Sequence, residues 1–208
     1  MTSSMTSCSA RVLAVDSRGA LALARRPWLL QANGVELRVR GAVPGDLPSV
    51  ARMHGRCSAD TRLQRYLMGG RTPSLAMVTT MLGQPLVLVA TAAHGEVVSL
   101  VSALRAPMRP GAEPVHRRAL SFGLLVEDAW QRRGIGRALA AHMAAAAHLL
   151  GVRELVAETA ATTLPLRRVL DGIGHTRAGQ GDLGFRLHTR LDVSALGGLG
   201  SLRHALAS

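Results

Sequence analysis

Lysine is absent from this chain: all 25 of its Lys and Arg positions are arginine, and the formal net charge is +12. With no lysine there is no Gly-Lys-Ser/Thr, so a Walker-type phosphate loop is excluded. Aromatic residues make up only 2% of the sequence. The arginines are scattered, and no aromatic residues interleave them. The charge is therefore read as nonspecific adhesion to polyanions at low salt, not as a specific nucleic-acid surface. Cysteine occurs twice, at Cys8 and Cys57, which excludes a disulfide framework. No CxxC or Cys/His spacing points to zinc, and no metal is expected. Long hydrophobic runs are missing too. The longest, Ala138 to Leu150, is too short for a membrane span and contains His142 and His148. Asp16, Arg18, Arg25 and Arg26 interrupt the apolar stretches near the N-terminus, unlike a secretory signal. The expected location is the cytoplasm, with no membrane partner.

What is present suffices for one folded domain. The chain has 208 residues, 48% of them hydrophobic, with Leu, Val, Ala and Met left to fill the core. Abundant Arg, Ala, Gly and Leu beside a single Asn and two Ile are the mark of a GC-rich genome, which weakens charge as a guide to partners. Residues 1 to about 10 are Ser/Thr-rich and expected to be disordered. Arg11 to Gln31 reads as a hairpin or a helix, and Asn33-Gly34 as a turn before a first strand. Pro44-Gly45-Asp46 opens a helix, with Asp46 as its cap. Further helices are expected over Ser58 to Met68 and Pro73 to Leu82. Leu86 to Ala92 and Val97 to Leu104 read as a hairpin, followed by a Pro/Arg-rich loop from Pro107 to Pro114. Leu120 to Val126 is a strand. The helix from Gly134 to Leu150 carries Ile135, Leu139, His142, Ala146 and Leu149 along one side. A strand at Glu154 to Thr159, a helix over 163–173 and strands near 175–178 and 182–189 complete the pattern.

One run carries chemistry. Gln131-Arg132-Arg133-Gly134-Ile135-Gly136-Arg137-Ala138 follows a strand and an acidic turn, Glu127-Asp128, and opens the long helix. A helix start offers unpaired N–H groups and a positive dipole end, which suits a pyrophosphate. Gly134 and Gly136 allow close backbone approach, and three arginines add charge-assisted donors. A dinucleotide fingerprint would need a third glycine where Leu139 stands, although Glu154 and Glu158 lie near its acidic position.

Gln-x-x-Gly-x-Gly in this setting resembles the acyl-CoA loop of the GNAT superfamily of N-acetyltransferases. The resemblance extends upstream to Glu36 through Asp46. Downstream it reaches Thr162 through His175, where Thr163 and His175 replace the usual Asn and Phe. Ser58-Ala59-Asp60-Thr61-Arg62-Leu63-Gln64-Arg65-Tyr66 also resembles the Leu-Ser-Pro-Glu-Thr-x-Tyr-x-Arg-Phe segment of GNAT domains in bacterial protein acetyltransferases. Ala59 replaces the proline there. The likeness covers roughly residues 35 to 190.

The resemblance implies an α/β (α+β) fold, a mixed and mostly antiparallel sheet of six to seven strands flanked by helices. It divides the chain into an N-terminal extension (1–34), a GNAT domain (35–190) and a C-terminal tail (191–208) whose apolar residues offer a homodimer contact. Acetyl-CoA would be the cosubstrate and a primary amine, a protein lysine or a small molecule, the acceptor. Backbone N–H groups of Leu124, Leu125 and Val126 would line a splay beside the central strand. Gln131, Arg132, Arg133, Gly134, Ile135, Gly136, Arg137, Ala138 and Thr163 would hold the nucleotide end. Glu158 ranks first as the base, being a carboxylate among apolar strand residues, and Glu127 second. Glu96 and His116, both in loops, rank below them. The family's thiolate-protonating Tyr has no counterpart, because the only Tyr is Tyr66 in an upstream helix. That gap motivates an alternative: a noncatalytic acyl-CoA sensor or interaction module. His142 and His148 are given no chemical role.

Overall fold

A computed structural model describes residues 17–68, 70–105, 118–160, 164–181, 184–192 and 194. The elements run α1 (Ser17–Arg25), β1 (Trp28–Ala32), β2 (Val35–Gly41), α2 (Leu47–Arg56), α3 (Ala59–Tyr66), α4 (Leu75–Leu82), β3 (Val87–Thr91), β4 (Val97–Leu104), β5 (Ala119–Val126), α5 (Ile135–Leu149), β6 (Glu154–Thr159), α6 (Leu164–Asp171), β7 (Gly174–Gly181) and β8 (Gly184–Leu191). The expected loop at Pro107 to Pro114, His116, Thr163 and the tail from Ala195 lie outside the described residues.

All the strands join one sheet in the order β1-β2-β3-β4-β5-β6-β8-β7. Every neighbouring pair is antiparallel except β5 with β6. The sheet has eight strands, against an expectation of six to seven. Part of the difference lies at the N-terminal edge. Of the stretch read as a hairpin or a helix, residues 17–31 supply both a helix and most of a strand, and β1 pairs with β2 across Asn33-Gly34. Both turn residues have positive φ, 43° and 78°. That is the two-residue hairpin turn whose twist matches its strands.

Two cores sandwich the sheet. On one face α1, α5 and α6 bury Leu30, Leu37, Leu139, Met143, Leu155 and Ile173. On the other, α2, α3 and α4 bury Val50, Met53, Tyr66, Met81, Leu100 and Leu125. Ser58 and Ser74 cap α3 and α4 by accepting from Thr61 and Met77 N–H. Asp46 does not cap α2. Its carboxylate accepts from Val43 N–H at 2.9 Å and takes a bidentate bond from Arg40 at 2.7 and 2.6 Å. It closes the short 3-10 turn at Pro44–Asp46 that precedes α2. His142 is buried on α5, stacks on Trp28 at 5.0 Å and bonds Ala24 C=O at 2.9 Å. It therefore fastens α1 and β1 to α5.

Candidate active site

The central feature is a gap between β5 and β6. Their parallel register covers only Ala119 with Glu154, Leu120 with Leu155 and Ser121 with Val156. Beyond that, β5 stays on β4 as far as Val126, and β6 stays on β8 as far as Thr159. The strands diverge where the chain runs Phe122 to Val126. Glu127 N–H donates to Val98 C=O at 2.9 Å, which fixes the alternation along β5. Gly123, Leu125 and Glu127 turn their backbone groups towards β4, while Leu124 and Val126 turn theirs into the gap. Of the three residues expected to line the splay with N–H groups, Leu125 thus faces the wrong way. Its C=O instead accepts from Ser99 Oγ at 2.7 Å.

The loop between β5 and α5 closes over this gap. Arg132 and Gly134 both have positive φ, 60° and 80°. Only a glycine adopts that conformation without strain, and Gly134 uses it to redirect the chain into α5. Gly136 answers to space: a Cβ there would lie 3.2 Å from Leu124 Cδ2. The first turn of α5 therefore rests directly on the strand whose N–H groups are open. Ile135, Gly136 and Arg137 N–H have no acceptor within the helix. Arg132, Arg133 and Arg137 are exposed around them, and Ala138 is half-buried behind. Arg133 also stacks on Trp130, 5.4 Å from its ring centroid. The charge and the unpaired donors of this cradle suit a pyrophosphate.

Gln131 takes a different part from the one expected. Its Nε2 donates to Val126 C=O at 3.0 Å and to Thr61 Oγ1 at 3.2 Å, so it braces the loop. Beside it, Asp128 accepts from Ser58 N–H, Ser58 Oγ and Thr61 Oγ1 at 2.8, 2.8 and 2.9 Å. Burial works against the charge on Asp128, but these bonds outweigh it and hold the carboxyl below its usual range. The Ser58–Thr61 segment is thus tied to the cradle, a link that the sequence carries only as a motif and an acidic turn far apart.

The two candidate bases lie on the α2–α4 face. Continuing the parallel register would set Glu158 opposite Gly123, across the gap. Arg186 Nη2 bonds Glu158 Oε1 at 2.7 Å, and both side chains are largely buried. Glu127 follows Val126 at the mouth of the gap and is buried against α2. Arg56 bonds it at 2.8 Å and also reaches Glu96 at 3.1 Å. Both carboxylates are therefore oriented by arginines. Tyr66 is committed elsewhere: its hydroxyl donates to His54 Nε2 at 2.6 Å inside the core.

A residue not singled out from the sequence stands beside Glu158's partner position. Arg65 is half-buried, with its Nε out of water and its guanidinium lying over Gly123, in the place a Cβ there would take. It donates to Ser102 Oγ at 2.8 Å and lies 4.9 Å from the Tyr66 ring centroid. It meets no carboxylate among the described residues, and its Nε has no partner. Burial pulls its pKa down.

The model of the acetyltransferase (GNAT) family matches residues 72–174. Among solved structures, the GNAT domain of S. lividans PAT superposes with a TM-score of 0.68 at 24% identity, over 79% of this chain and 97% of that one. A GNAT superfamily phosphinothricin acetyltransferase from Sinorhizobium meliloti, solved in complex with AcCoA, gives 0.56 at 18% identity, over 74% and 88%. A cAMP-binding acyltransferase from Mycobacterium smegmatis gives 0.56 at 20%, over 92% of this chain and 56% of that one. The chain carries an acetyltransferase domain of the GNAT family, and its sheet and helices form the GNAT fold.

Proposed function

We propose that the protein transfers an acetyl group from acetyl-CoA to a primary amine, and that the amine is a protein lysine. The observation that carries the reading is the gap between β5 and β6, with the α5 cradle at its mouth. A thioester arm can lie along β5 and replace the missing strand, bonding Leu124 and Val126 backbone groups. N–H groups aimed at the carbonyl oxygen would stabilise its developing charge. The amine attacks the thioester carbon, a C–N bond forms and the C–S bond breaks. Glu158 takes the amine proton, directly or through water. CoA leaves as the thiolate and takes a proton from solvent. Arg186 fixes the Glu158 carboxylate in place, and Glu127 serves mainly to lock β5 to α2 through Arg56. Support for a protein acceptor comes from the Ser58–Tyr66 segment, whose hydroxyls brace the cradle.

A second reading has its own observation. The α6 sequence, Leu164 to Asp171, has no tyrosine to protonate the thiolate, and both candidate bases are held by arginines. A GNAT domain that only senses acyl-CoA would look the same. Acetyl-CoA titration and thiol release on lysine peptides and small amines separate the two, with Glu158→Gln alongside. The expected result is binding by both proteins, with release at least 100-fold slower in the variant. Binding without release on any amine would favour the sensor. No binding at physiological salt would end both readings.

A further inference from the structure

Resting on that reading, we infer that the open face of β6, β8 and β7 recognises acidic residues flanking the acceptor lysine of a protein substrate. Acetyl-CoA needs the α5 side of the sheet, where its pyrophosphate cradle lies, so the acceptor must reach the gap from the α2–α4 side. On that side α2, α3 and α4 cover the sheet up to β5 and the inner edge of β6. Among the described residues no helix covers the next two strands on that side.

Basic side chains outnumber carboxylates on this face, and both carboxylates, Glu154 and Glu158, are already bonded. The register sets Glu158 beside Arg186, Arg177 beside His188, and His175 beside Arg190. Arg177, Arg190 and His175 are exposed. Arg186 is engaged with Glu158, and His188 takes the one other carboxylate here, bonding Glu154 at 2.7 Å. Arg177 and Arg190 have no acidic partner among the described residues. Protection of a bare edge would account for charge on β7. Arg190 lies on interior β8, opposite Glu154 in the register, but the Glu154 carboxylate bonds His188 instead.

Distance chooses the occupant. One strand for Arg190 or two for Arg177, of about 4.8 Å spacing, and two to four residues of about 3.3 Å rise put their backbone positions roughly 10–15 Å from that of Glu158. A small amino acid cannot hold its amine at Glu158 and its carboxylate that far away. An extended peptide covers the distance in three to four residues. The occupant is therefore a peptide segment with Asp or Glu a few positions from its lysine.

The test is fluorescence anisotropy of a labelled lysine peptide flanked by glutamates, and of its glutamine counterpart, against the full chain with acetyl-CoA present. Wild type should bind the acidic peptide at least tenfold more tightly, and Arg177→Gln with Arg190→Gln should remove most of that preference. Removing two arginines elsewhere, Arg18→Gln with Arg52→Gln, controls for net charge and should leave the preference intact. No preference in wild type, or equal loss in the control, overturns the inference. So does displacement of the peptide by equimolar free glutamate, which would assign the face to a small acidic amine. Acetyl-CoA binding, titrated on each protein, keeps the outcomes separate: if it fails, the enzyme reading falls whatever the peptide does.

Discussion

A cation drawn partly out of water without an anion is costly, and Arg65 imposes part of that cost on the strand beside the gap. Gly123 is glycine because the guanidinium occupies the place of its side chain. Gly123→Ala should therefore push the guanidinium aside and break its bond to Ser102, at a cost of about 1 kcal/mol. Arg65→Met keeps most of the volume and discards the unpaired charge. It should cost under about 1 kcal/mol or stabilise. In the double variant the alanine should become nearly free, and urea midpoints arranged as a double-mutant cycle measure that coupling. Additive costs would mean that the contact is not what selects glycine. At this scale the sequence was only partly legible. Gly134 and Gly136 announce themselves by spacing, and their reasons, a positive φ and a close approach to Leu124, are local. Gly123 and Arg65 are far apart in the chain, and no local pattern joins them. Gln131 was read as a ligand contact because its place in the motif is visible, while its acceptors, Val126 C=O and Thr61, are not.

Between elements, the fastening of α2 to α3 is a buried hydrogen bond. His54 donates through Nδ1 to Val50 C=O at 2.7 Å and accepts Tyr66's proton at Nε2. Burial, helped by the nearby Arg65 and Arg62, pushes the imidazole down to about 4. An unfolded chain titrates the same group near 6.5, so it takes up the proton first as pH falls. Stability from this histidine is whole above about pH 6.5, declines as pH falls and is exhausted near pH 4. Between pH 7 and 5, before carboxylates titrate, the loss should be about 2 kcal/mol. Burial depresses His142 as well, and it adds in the same direction. His54→Gln should be weaker at pH 7 but flatter with pH, as chemical denaturation at both values would show. An equal slope in the variant would move the acid sensitivity elsewhere. Element ends were legible where a serine caps or a glycine stops a helix, because those signals act within a turn. Asp46 misled for the same reason: its position suits a cap, and only the fold brings Arg40 to it.

For the molecule as a whole, the open question is whether residues 17–32 belong to the fold or are merely appended to it. The likeness to known GNAT sequences starts near residue 35, which is why this segment reads as an extension. In the structure Ala20, Ala24 and Leu30 are fully buried. Arg25 reaches from the end of α1 to Pro85 C=O at 2.9 Å and to Ala42 C=O. A Cβ at Gly41 would collide with that arginine, so β2 is shaped to receive it. Burial of Leu30 alone is worth about 1.5–3 kcal/mol. Deleting residues 1–33 would also strip β2 of its partner and bare the unpaired edge of a long sheet. The shortened chain should lose several kcal/mol in urea and self-associate in size-exclusion chromatography. Acetyl-CoA affinity, in whatever fraction remains monomeric, should change little for contacts made at Leu124 and Val126. The segment does approach the cradle, since Ala32 Cβ lies 3.4 Å from where a Cβ of Gly134 would be. A weakened affinity in a stable monomer would mean that β1 supports the loop as well as the core. Unchanged stability would mean that the GNAT sheet is complete from β2 onward.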